Sequence, residues 1–249
     1  MRKILMEVCC GSADDVVQAQ KGGANRVELN SCLFHGGLTP SVGELIAAKE
    51  AADLPIMAMV RPRQGGFCYT DLEFRTAMAD AEQLLLHGAD GLVFGFLNPD
   101  GTVDAARCRE IMRLAGGKQT VFHRALDVVP DWKRALATLI DLGVTRVLTS
   151  GQAVDVHYGA ETICQMIDFA HGAIEILPGG GIKKWNIDRI LAEIPCTQIH
   201  VSKSSEQLDR STAGNPAIHF GGALYPPEDR YAMTDAAAVV ELRARADRV

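Results

Sequence analysis

The sequence predicts an α/β fold, a (β/α)8 TIM barrel in a single domain, and three observations lead to this prediction. Short β-rich segments alternate with longer amphipathic segments along most of the 249 residues, which is the pattern of parallel βαβ units. Eight such β segments occur within about 200 residues, and eight parallel strands close a barrel of this type. The segments KGGANRVEL, LHGADGLVF and DLGVTRVLT each end a helical pattern at glycine and enter a strand, which is a weak internal repeat.

The predicted strands are short, mostly apolar runs with helical patterns between them. They span residues 4–9, 26–29, 56–60, 91–94, 120–123, 146–149, 173–177 and 198–201. Ser12 and Asp131 precede two of the helical patterns and are predicted N-caps. The barrel core should occupy about residues 1–205. The segment 204–230 is rich in Ser, Gly and Pro and is predicted to be irregular, and a closing helix capped by Thr234 or Asp235 follows it.

A doubly wound open sheet is the alternative fold for the same alternating pattern. Such a sheet normally carries a glycine-rich phosphate-binding turn after its first strand. The corresponding turn here is CCGSADD, residues 9–15, which lacks the GxGxxG pattern. The barrel is therefore favoured. Because no linker-like segment interrupts the pattern, one domain over 1–249 is expected, with the irregular segment and the closing helix in about 206–249.

The composition excludes several classes of function. Apolar residues make up 47% of the chain and charged residues 22%, which is typical of a globular protein with a large core. The net charge of −6 without a basic tract predicts no nucleic-acid partner, and no apolar stretch approaches the roughly 18 residues of a membrane span. The seven scattered cysteines lack zinc-like spacing, and the apolar run in MRKILMEVCC is too brief for a signal peptide. These features predict a cytoplasmic protein with free thiols.

Polar residues recur at alternate positions of the strands that meet at one mouth of the predicted barrel. Side chains of a barrel strand alternate between the lumen and the helix layer, and an unpaired charge facing the helix layer is costly. Strands one, two, three and eight would therefore direct one polar set into the lumen: Glu7 and Cys9, then Arg26, Glu28 and Asn30, then Arg61 and Arg63, and finally His200 and Ser202.

Two arginines in MVRPRQGG, Arg61 and Arg63, follow the third strand. In the lumen they would have Glu7 and Glu28 as partners, so one interpretation is a buried ion-pair network that only supports the fold. Arg124, in TVFHRALD, adds a cation at the fifth strand. More cations than carboxylates at one mouth favour a second interpretation, an anion-binding pocket, because guanidinium groups bind carboxylates and phosphates through paired hydrogen bonds.

Glycine and hydroxyl residues mark the ends of the last three strands. Barrels often bind phosphate with the loops after strands seven and eight. A flexible turn is the simpler interpretation of GGG alone, but its place after strand seven favours anion binding. Besides the arginines, the residues predicted to contact an anion are Thr149, Ser150, Gly151, Gly179, Gly180, Gly181, His200 and Ser202.

Glu7, Glu28 and His123 are candidates for acid–base catalysis. A carboxylate and an imidazole that face a cationic pocket can move a proton next to a carbonyl or a phosphate-bearing carbon. The alternative for His123 is a hydrogen-bonded pocket residue without a catalytic role. The enzyme hypothesis is thus a metal-independent lyase, isomerase or hydrolase that acts on a small phosphorylated or carboxylated metabolite.

Sulfur-bearing residues indicate a soft metal as the other hypothesis. Cys9, Cys32 and the pair Met57 and Met59 offer thiolate and thioether groups, which suit Cu(I). Adjacent Cys9 and Cys10 should face opposite sides of their strand, so they would not chelate one ion together. The methionines of strand three are most simply explained by core packing.

Several blocks of sequence together resemble one known family. The blocks are MEVC (6–9), GGANRVEL (22–29), GGLTPS (36–41), RPRQGGFCYTD (61–71), GADGLVFG (88–95), FHRALD (122–127), RVLTSG (146–151) and PGGGI (178–182). They occur in the order of the CutC family, the so-called copper homeostasis proteins. This resemblance implies a TIM barrel, a cytoplasmic location, a homodimer or higher homo-oligomer, and a role in copper tolerance or Cu(I) binding.

The resemblance also implies a metal site. The copper ligands proposed for the family are two cysteines that end strands one and two. The first corresponds to Cys9 in MEVC, whereas the position after VEL holds Asn30, and Cys32 lies two residues further on. Cys9 and Cys32 are therefore the predicted Cu(I) ligands. A third possibility, a scaffold for a partner protein, rests on the irregular segment after strand eight alone.

Overall fold

The computed structural model describes residues 3–222 and 226–248 of the chain. The strands are β1 Leu5–Cys10, β2 Arg26–Leu29, β3 Ile56–Met59, β4 Gly91–Phe94, β5 Gln119–Phe122, β6 Arg146–Thr149, β7 Glu175–Pro178, β8 Gln198–Val201, β9 Ser204–Leu208 and β10 Arg230–Thr234. The α-helices are α1 Ala13–Lys21, α2 Val42–Ala51, α3 Asp71–Leu86, α4 Ala105–Ala115, α5 Trp132–Asp141, α6 Ala160–Ala170, α7 Ile187–Glu193 and α8 Ala236–Ala246. None of the helices in these two ranges has the length and apolar content needed to cross a membrane.

The first eight strands form one parallel sheet in the order β7-β6-β5-β4-β3-β2-β1-β8. A parallel bridge between Gly179 and His200 joins the two ends of this order, so the sheet closes on itself. The predicted (β/α)8 TIM barrel is confirmed. Because each strand lies beside its neighbours in sequence and all are parallel, their carboxyl ends meet at one mouth.

Two apolar clusters pack against the strands. The larger lies between the strands and the helix layer and includes Ile56 and Ala58 of β3. The smaller one is formed by Met57, Met59, Val93, Val121, Leu148 and Leu177 and fills the lumen. Successive residues of β3 thus belong to different clusters, because successive Cβ atoms of a strand point to opposite faces. The predicted alternation holds within the strands.

The predicted boundaries of the eight barrel strands agree with the structure within two residues. The side chains of Ser12 and Asp131 cap α1 and α5, as predicted, and Asp235 rather than Thr234 caps α8. Strand β3 ends at Met59, one residue earlier than predicted. This early end determines where the following arginines lie.

The segment after β8 is more regular than predicted. Strands β9 and β10 pair antiparallel, from Ser204 with Thr234 to Leu208 with Arg230. The prediction of an irregular segment over 204–230 is therefore wrong for Ser204–Leu208 and for Arg230, which pair with the backbone of the opposite strand. Residues 223–225 of the segment lie outside the described residues.

A network of polar groups, all buried except Glu175, crosses the amino-terminal end of the barrel. Arg26 forms an ion pair with Glu7 and donates to Gln198 at 2.9 Å. Gln198 donates in turn to Glu175 at 3.0 Å, and Arg146 forms an ion pair with Glu175 at 2.7 Å. Four of these residues are the first of their strands, while Glu7 lies in the middle of β1. The network therefore closes the end opposite the mouth and reaches towards the mouth through Glu7.

Candidate functional site

A cavity of about 300 Å³, the main cavity, lies at the carboxyl-terminal mouth of the barrel. Its size is at the lower end of the range of small-molecule sites, about 300–1,000 Å³. The apolar floor includes Met59 and Leu148 of the lumen cluster. The polar wall combines residues from several strand ends: Cys9, Glu28, Arg61, His123, Arg124 and His200. The mouth therefore brings together most of the predicted site residues of strands one, two, five and eight.

Buried carboxylates surround His200. Its Nδ1 donates to Glu7 Oε1 at 2.8 Å, and Glu7 is also paired with Arg26. Burial opposes ionisation of Glu7, but the hydrogen bond with His200 and the charge of Arg26 outweigh burial and lower the pKa of Glu7 to about 2. Burial likewise opposes protonation of His200, but the charge of Glu28 and the adjacent hydrogen bonds raise the pKa of His200 well above its ordinary value. The two neighbouring glutamates therefore favour the imidazolium form of His200.

Glu28 and Cys9 lie beside His200. The Cys9 thiol donates to Glu28 Oε2 at 3.8 Å, and Asn30 Nδ2 donates to the same oxygen at 2.9 Å. Burial and the charge of Glu7 raise the pKa of Glu28, against the lowering effect of His200. Burial also raises the pKa of the Cys9 thiol to about 11. The cavity thus contains a carboxylate of increased proton affinity and a thiol that stays protonated at physiological pH.

His123 is neutral and presents one hydrogen-bond donor. Its Nδ1 accepts a hydrogen bond from the Ala125 amide at 3.1 Å, which places the ring proton on Nε2. Burial and the charge of Arg61 lower the pKa of His123 to about 3. The ring packs against Phe67, with centroids 4.8 Å apart, and Gly95 lies so close to the ring that a Cβ there would collide with it. Local packing therefore sets both the orientation and the tautomer of this imidazole.

Three residues of the cavity wall carry a buried polar atom that has no hydrogen-bond partner among the described residues. The atoms are Oε1 of Glu28, Nε of Arg61 and Nε2 of His123. Buried polar groups in folded proteins are nearly always paired, and leaving one unpaired costs about 1–3 kcal/mol. Three unpaired polar atoms, one acceptor and two donors, thus belong to residues that line a single cavity, which makes this cavity a candidate site for a polar ligand.

Arg61 lies at the main cavity but its partners differ from those predicted. Its buried guanidinium donates at 2.8 to 3.0 Å to three backbone carbonyls, those of His35, Gly37 and Gly65. Its central carbon lies 5.4 Å from the centroid of the Phe67 ring. The predicted ion pairs of Arg61 with Glu7 and Glu28 are not formed in the part of the chain that the structure describes, because loop carbonyls surround the guanidinium instead.

Arg63 lies outside the mouth, so the prediction that it enters the lumen is wrong. Its guanidinium forms an ion pair with Glu73 of α3 at 2.6 Å and lies 4.9 Å from the centroid of the Tyr69 ring. The alternation of faces ends where β3 ends, at Met59. Beyond that residue, a spacing of two no longer places side chains on the same face, and Arg61 and Arg63 diverge.

Asp127 organises the loop after β6, a role that the sequence reasoning missed. Its carboxylate accepts from Thr149 Oγ1 at 2.5 Å and from the hydroxyl of Ser150 at 2.9 Å, and it pairs with Arg124 at 2.7 Å. The amide of Gly151 donates to Thr149 Oγ1 at 2.9 Å. These predicted anion contacts therefore support the loop beside Arg124. The signal for this role was the aspartate of FHRALD, three residues after the arginine.

A smaller space of about 150 Å³, the glycine lobe, adjoins the main cavity at the ends of β7 and β8. Arg124, Leu148 and His200 line both spaces. The remaining lining of the lobe comes from Gly180, Gly181, Ile182, Lys183 and Ser202. Of these, Lys183 and Ile182 were not predicted as site residues, although they directly follow the glycines.

Gly179 is buried in the wall behind these two spaces. A Cβ there would lie 2.5 Å from Leu148 Cδ1 and 2.9 Å from His200 Cβ, closer than side-chain atoms approach one another. Glycine at this position thus allows β7 to pack against the residues that separate the main cavity from the glycine lobe.

The two predicted metal ligands have different surroundings. Cys32 is exposed, with a left-handed backbone φ of 49°, and its Sγ lies 3.0 Å from His35 Nδ1. Cys9 belongs to a group with Glu28 and His200, in which one sulfur, one oxygen and one nitrogen atom all lie within 4.8 Å of one another. Strand β2 ends before Cys32 and the chain turns, so the alternation of strand faces does not predict the position of the Cys32 side chain.

Protonation of Glu7 should contribute to acid unfolding. The pKa of Glu7 is lowered from 4.5 to about 2 in the folded state. Its ionised form therefore stabilises the fold above the unfolded pKa, and this contribution is lost as the pH falls towards 2. Between about pH 5 and about pH 3, the wild type should lose about 2 kcal/mol more unfolding free energy than Glu7→Gln, measured by urea denaturation at each pH. Glu206→Gln, at an exposed position of β9, is the control and should follow the wild type; identical pH dependence in all three proteins would contradict the pairing assigned to Glu7.

Comparison with known proteins identifies close relatives over nearly the whole chain. The model of the CutC family matches residues 4–205. A family protein CutC from Treponema denticola is 52% identical, covering 92% of this chain and 93% of that protein. The copper homeostasis protein cutC homologs of Mus musculus and Homo sapiens are 42% and 40% identical, covering 96% and 98% of this chain and 88% and 90% of their own lengths.

Solved structures agree with these matches. The putative copper homeostasis protein CutC from Streptococcus agalactiae superposes with a TM-score of 0.75 at 33% identity, covering 79% of this chain and 97% of that chain. N-(5'-phosphoribosyl)anthranilate isomerase from Pyrococcus furiosus has a TM-score of 0.56 at 11% identity, covering 99% of this chain and 100% of that chain, a likeness of fold alone. From the family match and these identities, the chain belongs to the CutC family.

Proposed function

We propose that the chain binds a small anionic metabolite at the barrel mouth and catalyses proton transfer on it, as a lyase, isomerase or hydrolase. The observation that carries this proposal is the set of unpaired polar atoms of Glu28, Arg61 and His123 around the main cavity. Each unpaired buried group destabilises the free protein. A ligand that supplies one donor and two acceptors would pair all three.

The charges around the main cavity and the glycine lobe favour an anion. Arg61, Arg124 and Lys183 are cationic, and His200 adds a fourth positive charge. Glu28 is the one carboxylate among the lining residues that the structure describes. Attraction between an anion and these cations is strengthened away from bulk water. Asp127 and Glu7 pair with Arg124 and His200, whereas no carboxylate partner is described for Arg61 or Lys183. These two cations therefore support an anionic ligand over a neutral one.

His200 and Glu28 are the proposed proton donor and proton acceptor. His200 carries a proton at the cavity and can donate it to a developing anion. Glu28 has a raised pKa, which makes its carboxylate a stronger base than an ordinary glutamate. Glu7 pairs with both His200 and Arg26, so its proposed role is to hold His200 in place and keep it charged rather than to touch the substrate.

His123 and Arg61 are proposed to bind an oxygen of the substrate. The Nε2 proton of His123 and the Nε proton of Arg61 are both unpaired donors. Donors that are positioned before the reaction stabilise negative charge that develops on an oxygen, because they need no reorganisation. His123 thus acts as a neutral hydrogen-bond donor in this proposal, not as a base, since its pKa of about 3 makes it a poor proton acceptor.

A reaction of this class can be detected without knowing the substrate. The protein is incubated in D2O with a panel of small phosphorylated and carboxylated metabolites, and proton NMR reports conversion or hydrogen exchange at carbon. We expect activity on at least one member of the panel. Glu28→Gln keeps the shape of the side chain but removes the base, so the rate should fall by about 100-fold or more.

Glu82→Gln is the matched control, because Glu82 is an exposed glutamate on α3 for which no role in binding or catalysis is proposed. It should retain the wild-type rate. If the wild type converts no member of the panel, or if the wild type and Glu28→Gln react at equal rates, the proposed catalysis is refuted.

Cu(I) binding is a second candidate function, favoured by the group of Cys9, Glu28 and His200. Thiolate and imidazole are suitable ligands for Cu(I), and the carboxylate is a harder third donor. The mouse and human relatives are named copper homeostasis protein homologs, which supports the proposal. Cys32 lies outside this group, so the ligands proposed for this chain are Cys9 and His200.

Copper would have to displace protons from this group. Burial keeps the Cys9 thiol protonated, with a pKa of about 11, and the surrounding carboxylates keep His200 protonated. Since metal ligands bind in their deprotonated forms, the affinity for Cu(I) should increase as the pH rises.

Anaerobic titration with Cu(I) against a competing chelator tests this second function. Cys9→Ser should weaken binding by at least about tenfold, because a soft ligand is lost. Cys68→Ser is the control, since Cys68 is an exposed free cysteine outside the group. Wild-type affinity in Cys9→Ser, or an affinity independent of pH, would remove this function.

A cytoplasmic homo-oligomer completes the proposal. Free cysteines, such as exposed Cys32 and Cys68, are usual in a reducing compartment. Phe220 and Tyr231 are exposed apolar side chains near the β9–β10 hairpin and would be covered by a second copy. Light scattering of the purified protein measures its mass, and a monomer at micromolar concentration would contradict this part.

A further inference from the structure

We propose that the glycine lobe holds the phosphate group of a phosphomonoester whose carbon portion occupies the main cavity. This inference rests on the proposed function and narrows its substrate class from small anions to phosphorylated metabolites. It concerns a subsite formed by Arg124, Gly181, Lys183 and Ser202 at the ends of β5, β7 and β8.

The lobe contains hydrogen-bond donors that the described part of the protein leaves free. Arg124 donates from Nε to Asp127 and from Nη2 to Ser150, and no acceptor is described for its Nη1. No partner is described for Lys183 Nζ, the Ser202 hydroxyl or the Gly181 amide either. Phosphate has three acceptor oxygens, and several converging donors are what its recognition requires.

The backbone of the lobe leaves room for a ligand close to these donors. Gly180 and Gly181 have φ values of +110° and +77°, which side chains other than hydrogen rarely permit. A Cβ at Gly180 would lie 3.2 Å from Arg124 Nη1, and one at Gly181 would lie 2.5 Å from the Cβ of Asp155. Glycine at position 180 therefore keeps the space in front of the Arg124 guanidinium open, and glycine at position 181 allows the chain to pass close to Asp155.

The charges of the lobe match a dianion. Its lining carries the cationic side chains of Arg124 and Lys183 and no carboxylate among the described lining residues, and Asp127, outside the lining, pairs with Arg124. A phosphate monoester carries close to two negative charges at neutral pH, which these cations would attract.

The position of the lobe relative to the main cavity indicates an ester rather than free phosphate. Arg124, Leu148 and His200 line both spaces, so a group bound in the lobe has its substituent directed to Glu28 and the other polar groups of the cavity. Binding energy from the phosphate would then position the reacting carbon beside the proposed proton donor, His200.

Titration with inorganic phosphate, followed by phosphorus NMR at constant ionic strength, tests the lobe directly. We expect wild-type binding with a dissociation constant of about 1 mM, as for a small fragment of a ligand. Lys183→Gln and Ser202→Ala should each weaken it, Lys183→Gln by about tenfold or more. Lys184→Gln is the matched control, because Lys184 is the adjacent lysine but pairs with Glu241 of α8 at 3.0 Å; it should bind phosphate like the wild type.

The outcomes separate this inference from the proposed function. Unchanged phosphate binding in Lys183→Gln, or displacement of phosphate by chloride at equal concentration, would overturn the lobe assignment. Conversion of carboxylated metabolites alone in the D2O panel would also overturn it while leaving the proposed catalysis intact. Phosphate binding that depends on Lys183 but survives in Glu28→Gln would support the subsite, even if no member of the panel reacts and the proposed catalysis fails.

Discussion

The buried contact of Glu7 with both Arg26 and His200 is the interaction on which the rest of the mouth depends. It joins the polar network at the amino-terminal end of the barrel to the cavity at the other end. Without the Glu7 carboxylate, the buried Arg26 would lose its ion pair and His200 would keep Glu28 alone as a neighbouring carboxylate, and an uncompensated buried charge is strongly destabilising. The contact with Glu7 also favours the charged form of His200. The proposed proton transfer uses the proton of this imidazolium, whereas Cu(I) binding must displace it.

The two cavity histidines show how neighbouring charges determine chemistry. Carboxylates surround His200 and raise its pKa, whereas burial beside Arg61 lowers the pKa of His123. Identical side chains thus become a proton donor and a neutral hydrogen-bond donor on one cavity wall. Groups whose environments push their pKa values apart in this way are typical of acid–base sites. The same protonated state of His200 opposes Cu(I), since the imidazole must first lose its proton.

Sequence reasoning succeeded where local periodicity controls the structure and failed where strands end. The alternation in β3 correctly separates Met57 and Met59 from Ala58, but it was extended past Met59 to Arg61 and Arg63, which lie in a loop. The Arg61 guanidinium lies at the cavity and donates to loop carbonyls, and Arg63 forms an ion pair with Glu73. The positions of loop side chains depend on contacts with residues that are distant in sequence, so no rule based on sequence spacing predicts these positions.

The sequence by itself determined the barrel, its strand order and the mouth at which polar residues meet, because a parallel sheet with one helix per strand leaves few connections open. The motifs also indicated the family. Only the tertiary structure decided which groups are paired and which are free. Thr149 and Ser150 bind Asp127, Cys32 lies apart from the Cys9 group, and unpaired atoms remain at the main cavity. Protonation states and free donors depend on contacts across the barrel, and these distances exist only after the eight strands have closed.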